Sequence, residues 1–205
     1  MAKTKSQPSA NKYPQQLRII GGEWRGRRFD VIDSEGLRPT PDRVRETVFN
    51  WLQAWVPGAR CLDLFAGTGA LCLEALSRGA KGVVMVEKSP AVARNLKQNI
   101  EQLGTDAAIV VNDDSQHYLQ GPAEVFDIVF VDPPFKFSSL IEVSMATLNE
   151  RGWIKPGSWV YIESPAELGA PILPPGWALA RSKTAGLVGY HLARVNHHND
   201  RETES

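Results

Sequence analysis

Residues 60–71 read RCLDLFAGTGAL. A short apolar piece, CLDLF, runs directly into a turn with glycines at 67 and 69, and the turn opens a helical pattern, ALCLEALSRG, closed by Gly79. Glycine lets the backbone take positive φ and approach a ligand closely. The helix N-terminus behind such a turn favours electronegative groups. A dinucleotide fingerprint, G-x-G-x-x-G, would need a third glycine at position 72; Cys72 stands there instead. The turn also carries Asp63 and Phe65. A carboxylate at Asp63 repels a pyrophosphate but can accept hydrogen bonds from, or pair with, a ligand ammonium.

Working outward toward the C-terminus, the strand–turn–helix unit repeats. GVVMVE reads as a second strand ending on Glu87, and Ser89-Pro90 opens a helix that runs to about Leu103 and stops at Gly104. AAIVV is a third strand ending near Asp113 and Asp114, followed by a short helix near 115–120. FDIVFV is the fourth strand, residues 138–149 are helical, and SWVYIE is the fifth strand. After PILPPG, pieces near 177–182 and 187–195 flank Gly186 and read as a hairpin. Strands alternating with helices predict an α/β fold with a mostly parallel sheet covered on both faces. The terminal hairpin adds antiparallel edge strands. Ligands of such sheets sit outside the carboxyl ends of the strands. Three successive strands here end near an acid. Glu87 suits both hydroxyls of a ribose, and one of Asp113 and Asp114 suits an adenine amino group. The set fits a nucleoside with positive charge and no phosphate, which describes S-adenosyl-L-methionine.

The fourth strand runs into Asp132-Pro133-Pro134-Phe135. In a sheet of this kind it lies beside the first strand, across the crevice from the glycine turn. Each proline fixes its own φ and pushes the preceding residue into an extended conformation. Asp132 and the Pro133 carbonyl then present two acceptors in a preset geometry, suited to a planar amino group. That is the requirement for methyl transfer to an exocyclic base nitrogen, with Asp132 placed to help remove the surplus proton. Phe135 suits stacking on an extruded base.

Upstream, LRIIGGEWRGRRFDV reads as a strand, a Gly-Gly turn and a second strand, and residues 41–55 take helical spacing, with Thr40 as cap and Pro41 at the first position. Val44, Val48, Trp51, Leu52 and Trp55 fall on one apolar face. The formal net charge of the 205-residue chain is zero, with 23 basic and 23 acidic residues, yet residues 1–60 hold 11 Lys+Arg against 6 Asp+Glu. Arg18, Arg25, Arg27, Arg28, Arg38, Arg43 and Arg45 cluster with Trp24 and Phe29, a pattern for phosphate pairing and base stacking beside the active-site mouth. Arg38 and Arg45 fit either RNA contact or bracing of the site wall. Cys61 and Cys72, the two cysteines, lie in apolar segments and read as buried thiols rather than a disulfide framework. No Cys/His spacing fits a metal site, and Trp153, Trp159 and Trp177 read as packing residues. No apolar run reaches membrane-span length and the N-terminus has no apolar core, so a cytoplasmic protein is expected.

DLFAGTGAL, VVMVE, VVNDDS and VDPPF, in this order, resemble the class I S-adenosylmethionine-dependent methyltransferases with a (D/N/S)-P-P-(F/Y/W) motif. RIIGGEWRGRRF, GLRPTPDRVRETVFNWL and CLDLFAGTGALCLEALSRGA resemble the bacterial 16S rRNA (guanine-N2)-methyltransferases of the small ribosomal subunit. The resemblance spans residue 18 to about residue 195. It implies a seven-stranded Rossmann-like sheet with an N-terminal extension, N2-methylguanine as product, and 16S rRNA within an assembled or partly assembled small ribosomal subunit as partner. It puts the cofactor motif on Asp63, Gly67 and Gly69, the ribose acid on Glu87, and the catalytic motif on Asp132 to Phe135. The expected organisation is a disordered tail (1–16), an RNA-binding hairpin and helix (17–56), a cofactor-binding catalytic domain (57–195) and a second disordered tail (196–205). A monomer without metal is expected. Rival readings are adenine-N6 methylation of nucleic acid, methylation of a protein glutamine amide, and a non-catalytic ribosome-assembly factor.

Overall fold

The computed structural model describes residues 15–32 and 41–196. The expected tails, the cap Thr40 and Arg38 lie outside the described residues, except that Gln15 and Gln16, assigned to the tail, begin a strand. The N-terminal hairpin is β1 (Gln15–Arg18) against β2 (Arg28–Val31), antiparallel. Helix α1 (Asp42–Leu52) follows. The alternating region is β3 (Arg60–Asp63), α2 (Ala70–Ser77), β4 (Gly82–Val86), α3 (Pro90–Leu103), β5 (Ala108–Val111), α4 (Ser115–Gln120), β6 (Phe126–Val131), α5 (Ser139–Glu150) and β7 (Ile154–Pro165). The closing hairpin is β8 (Trp177–Ala185) and β9 (Val188–Val195).

The seven strands from β3 onward form one sheet in the order β5-β4-β3-β6-β7-β9-β8. The first five are parallel to their neighbours, and β9 and β8 close the edge antiparallel. The chain lays down β3, β4 and β5 toward one edge, then returns to place β6 on the other side of β3. That reversal opens a crevice at the carboxyl ends of β3 and β6, the expected ligand position. A bulge between Leu179 and Arg181 shifts the β8–β9 register by one residue, so residues on either side of it point to opposite faces.

Two buried apolar layers hold the sheet. One joins α1, α2 and α3 to residues such as Met85, Phe130 and Tyr161, and the other joins α4 and α5 to Val129, Val160 and Ile162. The strands carry apolar side chains to both faces, as parallel strands covered on both sides must. Local signals set the helix ends. In α3, Ser89 Oγ caps the Val92 N–H, Pro90 occupies the first position, and Gly104 ends the helix at φ 68°. Helix α1 buries Val44, Val48, Phe49 and Leu52. It stops at Leu52, so Trp55 lies beyond it, 44% exposed and against Trp159.

The Gly-Gly pair is not the tip of a tight hairpin turn. The connection between β1 and β2 runs from Ile19 to Arg27, and Gly21-Gly22 press it onto the last turn of α2. Gly22 has φ 77°, and a Cβ there would meet the Ser77 carbonyl oxygen at 1.8 Å. The Glu23 N–H donates to that same oxygen at 2.7 Å, and Ser77 Oγ donates to the Gly21 carbonyl at 2.5 Å. Beneath this seat lies Glu74, fully buried, which accepts from the Ile20 and Gly21 N–H groups and from Arg78 Nε. No helix among the described residues is long and apolar enough to cross a membrane.

Candidate active site

On one bank of the crevice, β3 delivers Asp63 to the start of the glycine turn, with Gly67 at φ 50° and Gly69 at φ 76°. A Cβ on Gly69 would come within 2.7 Å of Leu96 in α3, so the glycine also permits close helix packing. Several of the turn's own N–H groups are already engaged. Phe65 N–H donates to Asp63 Oδ1 at 3.1 Å, Gly67 N–H to Glu87 Oε2 at 3.0 Å, and Gly69 N–H to the Ala66 carbonyl at 2.7 Å. A phosphate would have to displace these bonds in the presence of two carboxylates. The loop is therefore rich in acceptors and poor in free donors, which fits a cationic nucleoside rather than a dinucleotide. Cys72, where a third glycine would stand, is buried, as is Cys61. Burial pushes the Cys61 thiol up to about 12 and Cys72 well above its ordinary value, so both stay protonated.

Glu87 accepts the Gly67 N–H on one oxygen and the Ser89 N–H, at 2.7 Å, on the other. Each oxygen retains a lone pair for a ligand hydroxyl. Beyond β5, Asp113 pairs with His117 Nδ1 at 2.7 Å, and this contact holds its carboxyl below the usual range and raises the His117 pKa. Asp114 caps α4, accepting from Gln116 N–H at 2.9 Å, and meets Lys88 Nζ at 3.0 Å, which holds its carboxyl down. Both acids thus stand at the crevice edge with one partner each from the protein's own side chains.

On the opposite bank, Asp132 follows β6 and lies half-buried. Pro133 is buried and Pro134 is extended at φ −51°, ψ 137°. Phe135, half-buried, opens a single 3-10 turn (Phe135–Phe137), in which the Phe137 N–H donates to the Pro134 carbonyl at 2.7 Å. The strand therefore ends stiffly and turns away only after Asp132 and Pro133 have been presented. Burial first, then Glu163 and Asp63, push the Asp132 carboxyl well above its ordinary value. Burial likewise raises Asp63 to about 7, with Glu87 and Glu163 adding to the rise against the Phe65 N–H.

Glu163 is the residue that sequence reading missed. Val131 pairs with Ile162 in the β6–β7 register, so the next step of the same ladder sets Asp132 beside Glu163. Glu163 is buried on β7 and accepts a 2.6 Å hydrogen bond from the Tyr161 hydroxyl. The only sequence signal was an acid ending the apolar run SWVYIE, and nothing within that run names its neighbour across the sheet.

The N-terminal arginines divide into three groups. Arg45 is buried: it donates to the Arg18 carbonyl at 2.9 Å and to Asp42 Oδ1 at 2.6 Å, and its second terminal nitrogen lies 3.7 Å from Glu74. It braces α1 against the hairpin and α2. Arg18 pairs with the other oxygen of Asp42 at 2.9 Å. Burial alone would raise Asp42, yet hydrogen bonds from Arg45 and Arg18 hold it below the usual range. Arg25, Arg27, Arg28 and Arg43 are exposed, with no ion pair among the described residues. The connection carrying Arg25 and Arg27 is seated on the C-terminal turn of α2, whereas the glycine turn is at that helix's N-terminus. Eight helical residues, about 12 Å, separate that seat from the crevice mouth.

The strand order, the antiparallel closing pair and the acid-rich crevice define a class I methyltransferase. The family described as "Conserved hypothetical protein 95" matches residues 17–194, and the chain belongs to it. "Ribosomal RNA small subunit methyltransferase D" of Escherichia coli K12 is 49% identical over 177 residues, covering 86% of this chain and 89% of its own. The solved Escherichia coli protein yhhF superimposes with a TM-score of 0.83 at 44% identity, over 89% of this chain and 99% of that one. An RNA methyltransferase from Salinibacter ruber, solved with S-adenosyl-L-homocysteine, shares the fold at 16% identity and TM-score 0.60, over 82% of this chain and all of its own (100%).

Proposed function

We propose that the chain is an S-adenosylmethionine-dependent methyltransferase of 16S rRNA in the small ribosomal subunit, and that it methylates the exocyclic N2 amino group of a guanine. The observation that carries this reading is Asp132 at the end of β6, beside β3 and opposite the glycine turn. The 49% identity over 177 residues to a small-subunit rRNA methyltransferase supports rRNA as the substrate.

The cofactor supplies a methyl group on a positively charged sulfur. Asp63 faces its ammonium and Glu87 its ribose, and one of the acids Asp113 and Asp114 takes the adenine amino group. Asp132 and the Pro133 carbonyl accept the two N–H bonds of the target amino group, and Phe135 stacks on the base. The lone pair of N2 is delocalised into the ring, and these two acceptors favour its pyramidalisation as the nitrogen–carbon bond forms. The cofactor would supply the methyl with the carbon–sulfur electron pair kept on its sulfur, and Asp132, with water, would take the surplus proton from N2. Holding nucleophile and methyl in line is chiefly proximity and orientation. Arg18, Arg25, Arg27 and Arg28 bind RNA phosphates outside the crevice, Arg18 while keeping its Asp42 partner, and Arg38 is assigned to the same surface.

The test is transfer from radiolabelled cofactor to deproteinised 16S rRNA, to small subunits and to DNA, followed by nucleoside analysis. N2-methylguanine is the expected product; N6-methyladenine would overturn the guanine reading, and absence of any transfer would favour a non-catalytic assembly factor. Alanine at Arg25, Arg27 and Arg28 together is expected to flatten the salt dependence of RNA binding, and an unchanged slope would remove them from the interface.

A further inference from the structure

The β6–β7 ladder that sets Asp132 beside Glu163 continues to the sheet edge. Glu163 pairs with Tyr190 on β9, and Tyr190 pairs with Lys183 on β8. Asp132, Glu163, Tyr190 and Lys183 therefore occupy one row on one face of the sheet. At about 4.8 Å per strand, Lys183 stands roughly 14 Å along the backbone from Asp132. Arg181 shares this face, two residues earlier and paired with Leu192. Arg194, paired with Trp159, lies on it as well. All three cations are exposed, and none forms an ion pair among the described residues. The bulge between Leu179 and Arg181 is what turns Arg181 and Lys183 to this side. A regular strand would carry them on the face of Trp177, among the residues packed by α4 and α5.

Aromatic rings from α1 and the turn after it cross the same face. Trp51 stacks on Tyr190 at 5.4 Å between ring centres, and Lys183 Nζ lies 5.9 Å from the Trp51 ring. Trp55, 44% exposed, contacts Trp159 at 4.4 Å, and the Arg194 guanidinium sits over Trp159 at 5.5 Å. Exposed cations interleaved with aromatic rings fit a single-stranded nucleic acid, whose phosphates pair with Lys and Arg and whose bases stack. Lysine on an edge strand can serve merely to block strand pairing. That role requires neither the arginine on the inner strand β9 nor the turning of Arg181 and Lys183 onto the catalytic face.

Resting on the function proposed above, we infer that Arg181, Lys183 and Arg194, with Trp55, form the surface that holds the rRNA strand flanking the target nucleotide. The surface binds backbone phosphate, and Trp55 stacks on an unpaired base. Lys183 lies on the row of the catalytic acid, and Arg181 and Arg194 continue the surface down the same face, two and four residues from that row.

The test is the triple variant Arg181→Gln, Lys183→Gln, Arg194→Gln, assayed on small subunits and on deproteinised 16S rRNA across a salt series. KM for RNA is expected to rise at least tenfold, kcat at saturation to hold, and S-adenosylmethionine affinity, measured by calorimetry without RNA, to stay at the wild-type value. The slope of log affinity against log salt is expected to fall by roughly 0.7 for each phosphate contact removed. If cofactor binding shows the triple variant to be misfolded, Lys183→Gln alone decides: a slope reduced by about one contact supports the inference. A KM and slope equal to wild type, in whichever variant binds cofactor, would overturn it. Failure of the wild-type protein to methylate either RNA would instead overturn the function on which the inference rests.

Discussion

Glu87 and Asp132 are both carboxylates at the carboxyl end of a parallel strand, on opposite banks of one crevice, yet their surroundings differ. Glu87 is held by two backbone N–H groups, from Gly67 and Ser89. Asp132 is desolvated and sits among other acids, Glu163 and Asp63. The first arrangement fixes a carboxylate in place before any ligand arrives. The second leaves a carboxylate whose charge is costly until a donor is brought to it. Under the proposed function, the first is a cofactor bank organised in advance and the second a substrate bank that waits for an amino group.

Removing the waiting acid should separate the halves most sharply. Asp132→Ala is expected to lower methyl transfer by about 10²–10⁴-fold with calorimetric cofactor affinity unchanged; transfer at the wild-type rate would remove Asp132 from the chemistry. Glu87→Ala is expected to do the reverse, weakening cofactor binding roughly 10- to 100-fold, the worth of about 1.5–3 kcal/mol of charged hydrogen bonds. A Glu87→Ala protein that binds cofactor normally would break the comparison.

Protonation gives two finer tests. Asp63 is raised from 3.8 to about 7 in the folded protein. A carboxyl raised by folding favours the native state while protonated, so thermal stability without cofactor should fall as pH rises from about 4 to about 7. The loss should exceed ~1.4 kcal/mol, the worth of one pKa unit, and Asp63→Asn should flatten it; a slope that persists in the variant would assign it to other groups. A cationic ligand reverses the preference, so cofactor affinity should rise through the same window. On the other bank, Glu163→Gln keeps an acceptor for Tyr161 but removes a charge beside Asp132. The acid limb of the kcat–pH profile should then move to lower pH, and an unmoved limb would show that Glu163 does not act on Asp132. The smallest effect is expected at Asp114→Ala, which deletes the α4 cap at a cost of about 1 kcal/mol, a fall of roughly 2–4 °C in melting temperature. A melting temperature equal to wild type would deny Asp114 that capping role.

The placement of the glycine-turn bank was legible in the sequence because its parts are punctuation. Gly67, Gly69, Glu87 and the Asp113-Asp114 pair all sit where an apolar run stops, and backbone geometry at such points admits few residue types. Asp132-Pro133-Pro134-Phe135 was legible for the same reason. Glu163 was not, because its meaning comes from Asp132 across the β6–β7 register. The arginines show the same limit. They were visible as a cluster, but Arg45 owes its bracing role to Glu74 in a later helix, and the position of Arg25 and Arg27 follows from where Gly22 docks. Arg181 and Lys183 reach the face of Arg194 only through the β8–β9 pairing and its one-residue bulge.

Glu74 also imposes an order in time. The hairpin of residues 15–31 leaves the ribosome before α2, but the carboxylate that receives the Ile20 and Gly21 N–H groups belongs to α2. The hairpin must wait, solvated, for a seat built from later residues. A ribosome-bound chain halted before Ala70 should leave the amides of residues 19–27 open to hydrogen exchange, and one extended past α3 should protect them.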